Sequence, residues 1–261
     1  MAATVEFDDG SVYEQFMGRW SRAIGTRFLN WLAAPKGAQW LEIGCGTGVF
    51  TELLLDTCSP KATVAVDFSA AQIDYARRRL DPQKVDIRVA DAQTLPLSSS
   101  SFDVVVSALV INFIPDRVRA LAEMRRVCRP GGYVAGCLWD FAGERSAGRP
   151  LALGLRQIGV DPPRIPGAED SSMEALYRLF AQAGLGEIAV KSIDVTVTFA
   201  GFDDYWRSQT PAFTPIGKVV AALPEVDRMK LAEAVRAQLP VAPDGTIAYS
   251  ARANAIKSRA P

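Results

Sequence analysis

The sequence predicts an α/β fold built on a doubly wound, mostly parallel, seven-stranded sheet. Two observations carry this. Short apolar runs alternate with amphipathic stretches of 10–15 residues, the pattern of strands covered by helices on both faces. A glycine cluster, Gly44-Cys45-Gly46-Thr47-Gly48, stands where the first strand should meet the following helix.

The elements follow in order. Tyr13, Phe16, Met17, Trp20 and Ile24 recur at helical spacing, so residues 12–34 read as one or two helices. Pro35-Lys36-Gly37 ends them. Gln39 to Ile43 is a buried strand, and residues 49–56 are a helix. Thr63 to Val66 is the second strand, ending at Asp67, and Ser69 caps a helix running to about Leu80. Residues 85–89 are a third strand and Val104-Val105-Val106 a fourth. A helix follows over about Pro115–Val127, then a Pro130-Gly131-Gly132 turn and a fifth strand, Tyr133 to Leu138. Beyond Trp139 we expect a helix over 149–159, a Pro-rich loop over 161–167 and a helix over 173–183 closed by Gly184. Glu187 to Phe199 and Thr246 to Ile256 are the last strands. Residues 203–239, mainly helical but broken at Pro211, Pro215 and Pro224, are an insertion between them.

Composition narrows the chemistry. The 261 residues are 49% hydrophobic and 22% charged, an ordinary globular balance. The net charge is zero, which argues against nucleic acid as partner. There is no histidine. That excludes Ser-His-Asp and Cys-His nucleophiles, histidine-ligated zinc and an imidazole general base. The four cysteines show no CxxC pair, as expected of a reducing compartment. The N-terminus lacks a signal-peptide core and no window is apolar enough to span a bilayer. A cytoplasmic protein is expected.

Glycines in such a loop let the backbone pass close to a ligand, whose anionic group can meet helix N–H groups. Asp67, 23 residues after Gly44, closes the second strand, where a carboxylate can accept from both hydroxyls of a ribose. The dinucleotide fingerprint G-x-G-x-x-G would need glycine at 49, where Val49 stands. The spacing present is G-x-G-x-G, preceded by Glu42, which favours S-adenosylmethionine over NAD.

Four blocks, WLEIGCGTG (40–48), VAVDFS (64–69), DAQTLPLSSSSFD (91–103) and RRVCRPGGY (125–133), make residues 38–138 resemble class I S-adenosylmethionine-dependent methyltransferases. The similarity is to the group that includes the ubiquinone and menaquinone biosynthesis enzymes. The resemblance implies a Rossmann-like single domain. Residues 1–36 would be N-terminal lid helices and 37–145 the cofactor-binding core. Residues 146–261 would hold the insertion, about 203–239, on the substrate side. It implies S-adenosylmethionine as cofactor and S-adenosylhomocysteine as product. Glu42 would take the methionine amino group. Gly44, Cys45 and Gly46 would form the loop beneath the ligand. Asp67, with Ser69 beside it, would hold the ribose, and Phe68 would lie on the adenine unless it simply packs in the core. Asp91 and Ala92 would meet the adenine amino group, unless Asp91 only caps a turn. Ser107 and Ala108 would face the methionine part. Tyr13 and Arg19, with Arg22 in reserve, would reach its carboxylate, while Phe16, Met17 and Trp20 exclude water.

The expected reaction is in-line methyl transfer to a small, apolar or aromatic acceptor, without metal. Trp139, Phe141, Tyr205, Trp206 and Phe213, with Phe199, are the candidate acceptor pocket or else core packing. Tyr205 and Asn112 are the weak catalytic candidates, and Asn112 could equally cap the next helix. A monomer or homodimer is expected. The alternatives are an NAD(P)-dependent oxidoreductase and a non-catalytic S-adenosylmethionine-binding module.

Overall fold

The structure, a computed structural model, describes residues 17–212 and 214–261. Its sheet has seven strands in the order β3-β2-β1-β4-β5-β7-β6. The strands are β1 (Gln39–Ile43), β2 (Ala62–Asp67), β3 (Asp86–Val89), β4 (Phe102–Ala108), β5 (Cys128–Trp139), β6 (Gly186–Phe199) and β7 (Ile247–Arg259). β1 to β5 are parallel, and β7 runs antiparallel between β5 and β6. The expected alternation is therefore present in full.

Strand periodicity assigns the faces. Trp40 of β1 and Val104 and Val106 of β4 share a core with α1 (Arg19–Leu32), with Phe50 and Leu54 of α2 (Val49–Cys58), and with Leu151 and Leu155 of α5 (Arg149–Gln157). Leu41, Ile43 and Val105 point the other way. They pack with α4 (Arg117–Val127) and α6 (Met173–Gln182). A smaller cluster joins Ala65 and Ile87 to Ile73 and Ala76 of α3 (Ala70–Arg79). The strands of the parallel half are buried on both faces, which is why they read as short apolar runs.

The insertion is three helices, α7 (Phe202–Gln209), α8 (Pro215–Ala222) and α9 (Glu225–Arg236), each break falling at or beside an expected proline. Its position follows from register. β7 pairs with β5 only from Ala253, opposite Trp139, onward. It pairs with β6 all the way to Ile247, opposite Phe199. Residues 247–252 and 194–199 therefore overhang the C-terminal ends of the parallel strands by roughly 20 Å. The insertion leaves and re-enters at the tip of that overhang.

Two local expectations are corrected. Pro130-Gly131-Gly132 is not a turn between elements but part of β5. Phe102 pairs with Cys128 and Val104 with Tyr133, so the residues between form a bulge opposite Asp103, with Gly131 at φ +75°. Asn112 does not cap α4. Asp116 does, its carboxylate accepting from Arg119 N–H at 3.0 Å. Among the described residues no helix is long and apolar enough to cross a membrane.

Candidate cofactor site at the glycine loop

The C-terminal ends of β1, β2 and β4 meet at the glycine loop. The loop is tied to the sheet by Gly44 and Cys45 N–H groups donating to Val66 C=O, at 2.7 and 3.0 Å. Gly44 has φ +75°, and a Cβ there would sit 2.5 Å from Cγ1 of Val110. Its glycine is thus required by packing as well as by backbone conformation. Gly46, at φ +54°, differs: the nearest atom to a Cβ there is Oε1 of Gln72, at 3.7 Å.

Asp67 organises the loop. One carboxylate oxygen accepts from Gly46 N–H and the other from Ser69 N–H, both at 2.9 Å. Burial pushes its carboxyl up, and these N–H groups oppose the shift. Ser69 caps α3 as expected, accepting from Gln72 N–H.

Glu42 points from β1 toward the first turn of α2 and is only 1% exposed. Among the described residues its Oε2 has no hydrogen-bond partner. Burial raises its carboxyl to about 7, the Thr51 hydroxyl, close by but outside hydrogen-bond geometry, opposes the rise, and the nearby Asp67 charge adds to it. A buried carboxylate with a free oxygen is held at a cost to stability. It is not isolated. Thr47 Oγ1, Thr51 Oγ1, Gln72 Oε1 and Ser107 Oγ are also buried without partners. All five lie in or beside the glycine loop and the strand and helix ends that adjoin it.

The neighbouring apolar group is equally telling. Phe68 is 63% exposed directly after Asp67, which rules out core packing as its reason for being there. Val89, opposite Asp67 in the register, is also exposed. Asp91 accepts from Gln93 N–H at 2.8 Å, so it does cap a turn, and its exposed carboxylate is held below the usual range by that bond. Ala92 beside it and Ala108 at the end of β4 are half-buried. Cys45 is buried, and burial pushes its thiol well up, helped by Glu42 and Asp67. It is a packed small residue rather than a reactive one.

Sequence reasoning passed over Thr47, Thr51 and Gln72. The signal was available for two of them. Thr51 and Gln72 each stand three residues after a helix N-cap, Gly48 and Ser69, on helices that start at this edge. A side chain there leans back over the N-terminus.

The acceptor-side candidates are differently placed. Trp139 packs edge-on against Trp20 with ring centres 5.7 Å apart. Phe199 packs on Tyr205 at 5.2 Å, and Tyr205 on Tyr249 at 6.2 Å. Trp206 lies against Phe202, and Phe141 is half-buried at the rim of the same cluster. Tyr205 is fully buried, its hydroxyl has no partner, and burial pushes the phenol well up. That environment opposes its use as a proton acceptor. Asn112 donates to Pro166 C=O at 3.1 Å, pinning the Pro-rich loop over the β4 end. Arg19 does not stand free to meet a carboxylate ligand. It forks onto Asp204 of α7, at 2.8 and 3.1 Å. Arg22 donates to Glu52 at 2.7 Å. Tyr13, Phe16 and Phe213 lie outside the described residues.

Residues 41–136 match the methyltransferase-domain family, and the fold is that of class I S-adenosylmethionine-dependent methyltransferases. Among individual proteins, the chain is 34% identical over 113 residues to a malonyl-[acyl-carrier protein] O-methyltransferase of Serratia marcescens, covering 43% of each. It is 30% identical over 126 residues to a demethylmenaquinone methyltransferase of Bacillus licheniformis, covering 48% of this chain and 51% of that one. The chain thus spans about half the length, or less, of these curated relatives. A phosphoethanolamine N-methyltransferase of Haemonchus contortus, solved with S-adenosyl-L-methionine, superposes with a TM-score of 0.58. That match is at 15% identity and covers 100% of this chain and 60% of the other, a likeness of fold.

Proposed function

We propose that this protein is a methyltransferase that moves a methyl group from S-adenosylmethionine to a small apolar or aromatic acceptor. The observation that carries the reading is the set of buried, unpartnered polar atoms around the glycine loop, headed by Glu42. They suit a ligand that brings both donors and a positive charge.

When bound, S-adenosylmethionine supplies a methyl group already activated by its sulfonium. The chain's residues then have three tasks. Glu42 takes the ligand's amino group, and Asp67 the ribose hydroxyls. Phe68 covers the adenine, and Asp91 with Ala92 meets its amino edge. Ser107 and Ala108, at the end of β4, border the methionine part. The aromatic cluster of Trp20, Trp139, Phe199 and Tyr205 closes the far side and keeps water out. With no histidine and with burial opposing ionisation of Tyr205, an acceptor that is itself acidic, such as a carboxylic acid or an acidic hydroxyl, suits the reaction. The relatives are named for different acceptors, a malonyl-[acyl-carrier protein] in one case and demethylmenaquinone in another. We place the protein in the cytoplasm as a monomer or homodimer.

Calorimetric titration with S-adenosylmethionine and, separately, NADH tests the reading. Binding of the first alone is expected. Binding of NADH alone would overturn it in favour of a nicotinamide enzyme.

A further inference from the structure

We propose that the methyl acceptor is an apolar or aromatic carboxylic acid, anchored by its carboxylate on Arg149 and Tyr249 beside the aromatic cluster. The inference rests on the methyltransferase reading above and adds to it the class of acceptor.

Arg149 is the first residue of α5, a few residues after β5 ends at Trp139. A cation there faces the positive end of the helix dipole, which is an unfavourable place for it. No acid in the first turn offsets the charge, and the Gly148 cap brings no side-chain acceptor. The carboxylates of the same loop are committed elsewhere. Glu144 pairs with Arg156 at 2.9 Å, and Asp140 accepts from Gly143 N–H at 2.9 Å. Asp194, which Arg145 approaches to 3.8 Å, forks with Arg252 at 2.9 Å. Among the described residues Arg149 has no carboxylate partner.

Its guanidinium faces the hydroxyl of Tyr249 instead. Tyr249 lies on the β7 overhang, its ring centre 6.2 Å from those of both Trp20 and Tyr205. The Tyr205 hydroxyl is near enough to sense charge on Tyr249, and it is buried without a partner among the described residues. So is Trp20 Nε1. Burial pushes both phenols up, so each keeps a proton to donate at neutral pH.

The polar groups of this cluster therefore share one property. A guanidinium, two phenols and an indole N–H all carry hydrogens to give, and the row holds no carboxylate. The complementary ligand group accepts and is negative. A carboxylate balances the single uncommitted guanidinium and fits its planar fork, whereas a phosphate would bring excess charge into aromatic surroundings. The rings of Trp20, Trp139 and Phe199 suit an apolar body. Ala108, at the end of β4, packs against the same cluster, so an acid lodged there adjoins the proposed methionine end of the cofactor.

Calorimetric titration of the S-adenosylhomocysteine-loaded protein tests this with two matched pairs: 3-phenylpropionate against 3-phenylpropionamide, and octanoate against octanamide. Each pair differs only in the charged group. In the wild type at least one acid should bind roughly 10- to 100-fold more tightly than its amide, the range of a charge-assisted hydrogen bond. Arg149→Met should abolish that preference, and Arg149→Lys should restore part of it. Tyr249→Phe should cost the acid roughly 3- to 10-fold. S-adenosylhomocysteine affinity, measured in each variant, checks that the fold is intact. Amides that bind as well as their acids would overturn the proposal, and so would a preference that survives in Arg149→Met. Failure of both acids to bind the loaded wild type would overturn it as well. Wild-type protein that does not take up S-adenosylhomocysteine would overturn the underlying reading instead.

Discussion

The glycine-loop edge and the β6–β7 overhang are built by opposite rules. At the loop, buried polar atoms lack partners while a phenylalanine ring stands in solvent. On the overhang, aromatic rings are buried and charges are paired: Arg19 with Asp204, Arg252 with Asp194. The sheet's open face there carries a Thr196–Ser250 hydroxyl pair as well. A region that must only fold satisfies its polar groups. A region that leaves five of them unmet at one place is arranged for something it does not itself contain. Tyr205 is where the two rules meet: among the described residues its hydroxyl, like Trp20 Nε1 in the same cluster, is buried without a partner.

The largest effect should come from Asp67→Ala. It removes two charged hydrogen-bond acceptors for the ribose and releases Gly46 and Ser69 as well. Affinity for S-adenosylhomocysteine should fall roughly 100-fold or more, as calorimetry would read. A loss under tenfold would mean that the ribose is held elsewhere.

Phe68→Ala should come next. Removing a ring from one face of a base costs about 1–3 kcal/mol, or roughly 5- to 150-fold in affinity. Because the ring is mostly exposed, the melting temperature of the ligand-free protein should move little. A clear drop in melting temperature with unchanged affinity would turn Phe68 back into a structural residue.

The smallest effect sits on the other side of the comparison. Tyr205→Phe deletes a buried hydroxyl that has no partner, so the ligand-free protein should melt about 2–4 °C higher. S-adenosylhomocysteine affinity should not change. A lower melting temperature would show that the hydroxyl is satisfied within the fold.

Much of this was legible in the sequence, for identifiable reasons. Strands of a parallel sheet are short, apolar and bounded, so β1 was read to the residue and the rest to within a few. Glu42, Asp67 and the glycines were legible because one loop and two strand ends, close in sequence, build that part of the site. What escaped depended on distant partners. Arg19 meets an aspartate 185 residues away, and nothing local announces it. The aromatics of the insertion have the same composition whether they line a pocket or pack a core, and only the ring geometry separates the two. Pro130-Gly131-Gly132 has turn chemistry, but it is spent on a bulge because β4 continues pairing past it. Gln72 and Thr51 needed two facts at once: the helix starts, which were readable, and the emptiness beside them, which was not.

Whether the glycine-loop edge holds a cationic ligand is tested most directly at Glu42. In the ligand-free protein burial lifts its carboxyl to about 7, so below that pH it holds a proton. The unfolded chain gives that proton up from about pH 4.5, so ligand-free stability should decline as pH rises from there to about 7. A cationic ammonium demands the ionised form, so binding must expel the proton. S-adenosylhomocysteine should be titrated into wild type and Glu42→Gln from pH 6 to pH 8, in buffers of different ionisation enthalpy. Binding to the wild type should be roughly tenfold tighter at pH 8 than at pH 6, with nearly a full proton released at the lower pH. In Glu42→Gln both effects should vanish, with weaker binding throughout. A wild-type affinity that is flat across this range, or a slope that persists in Glu42→Gln, would contradict it.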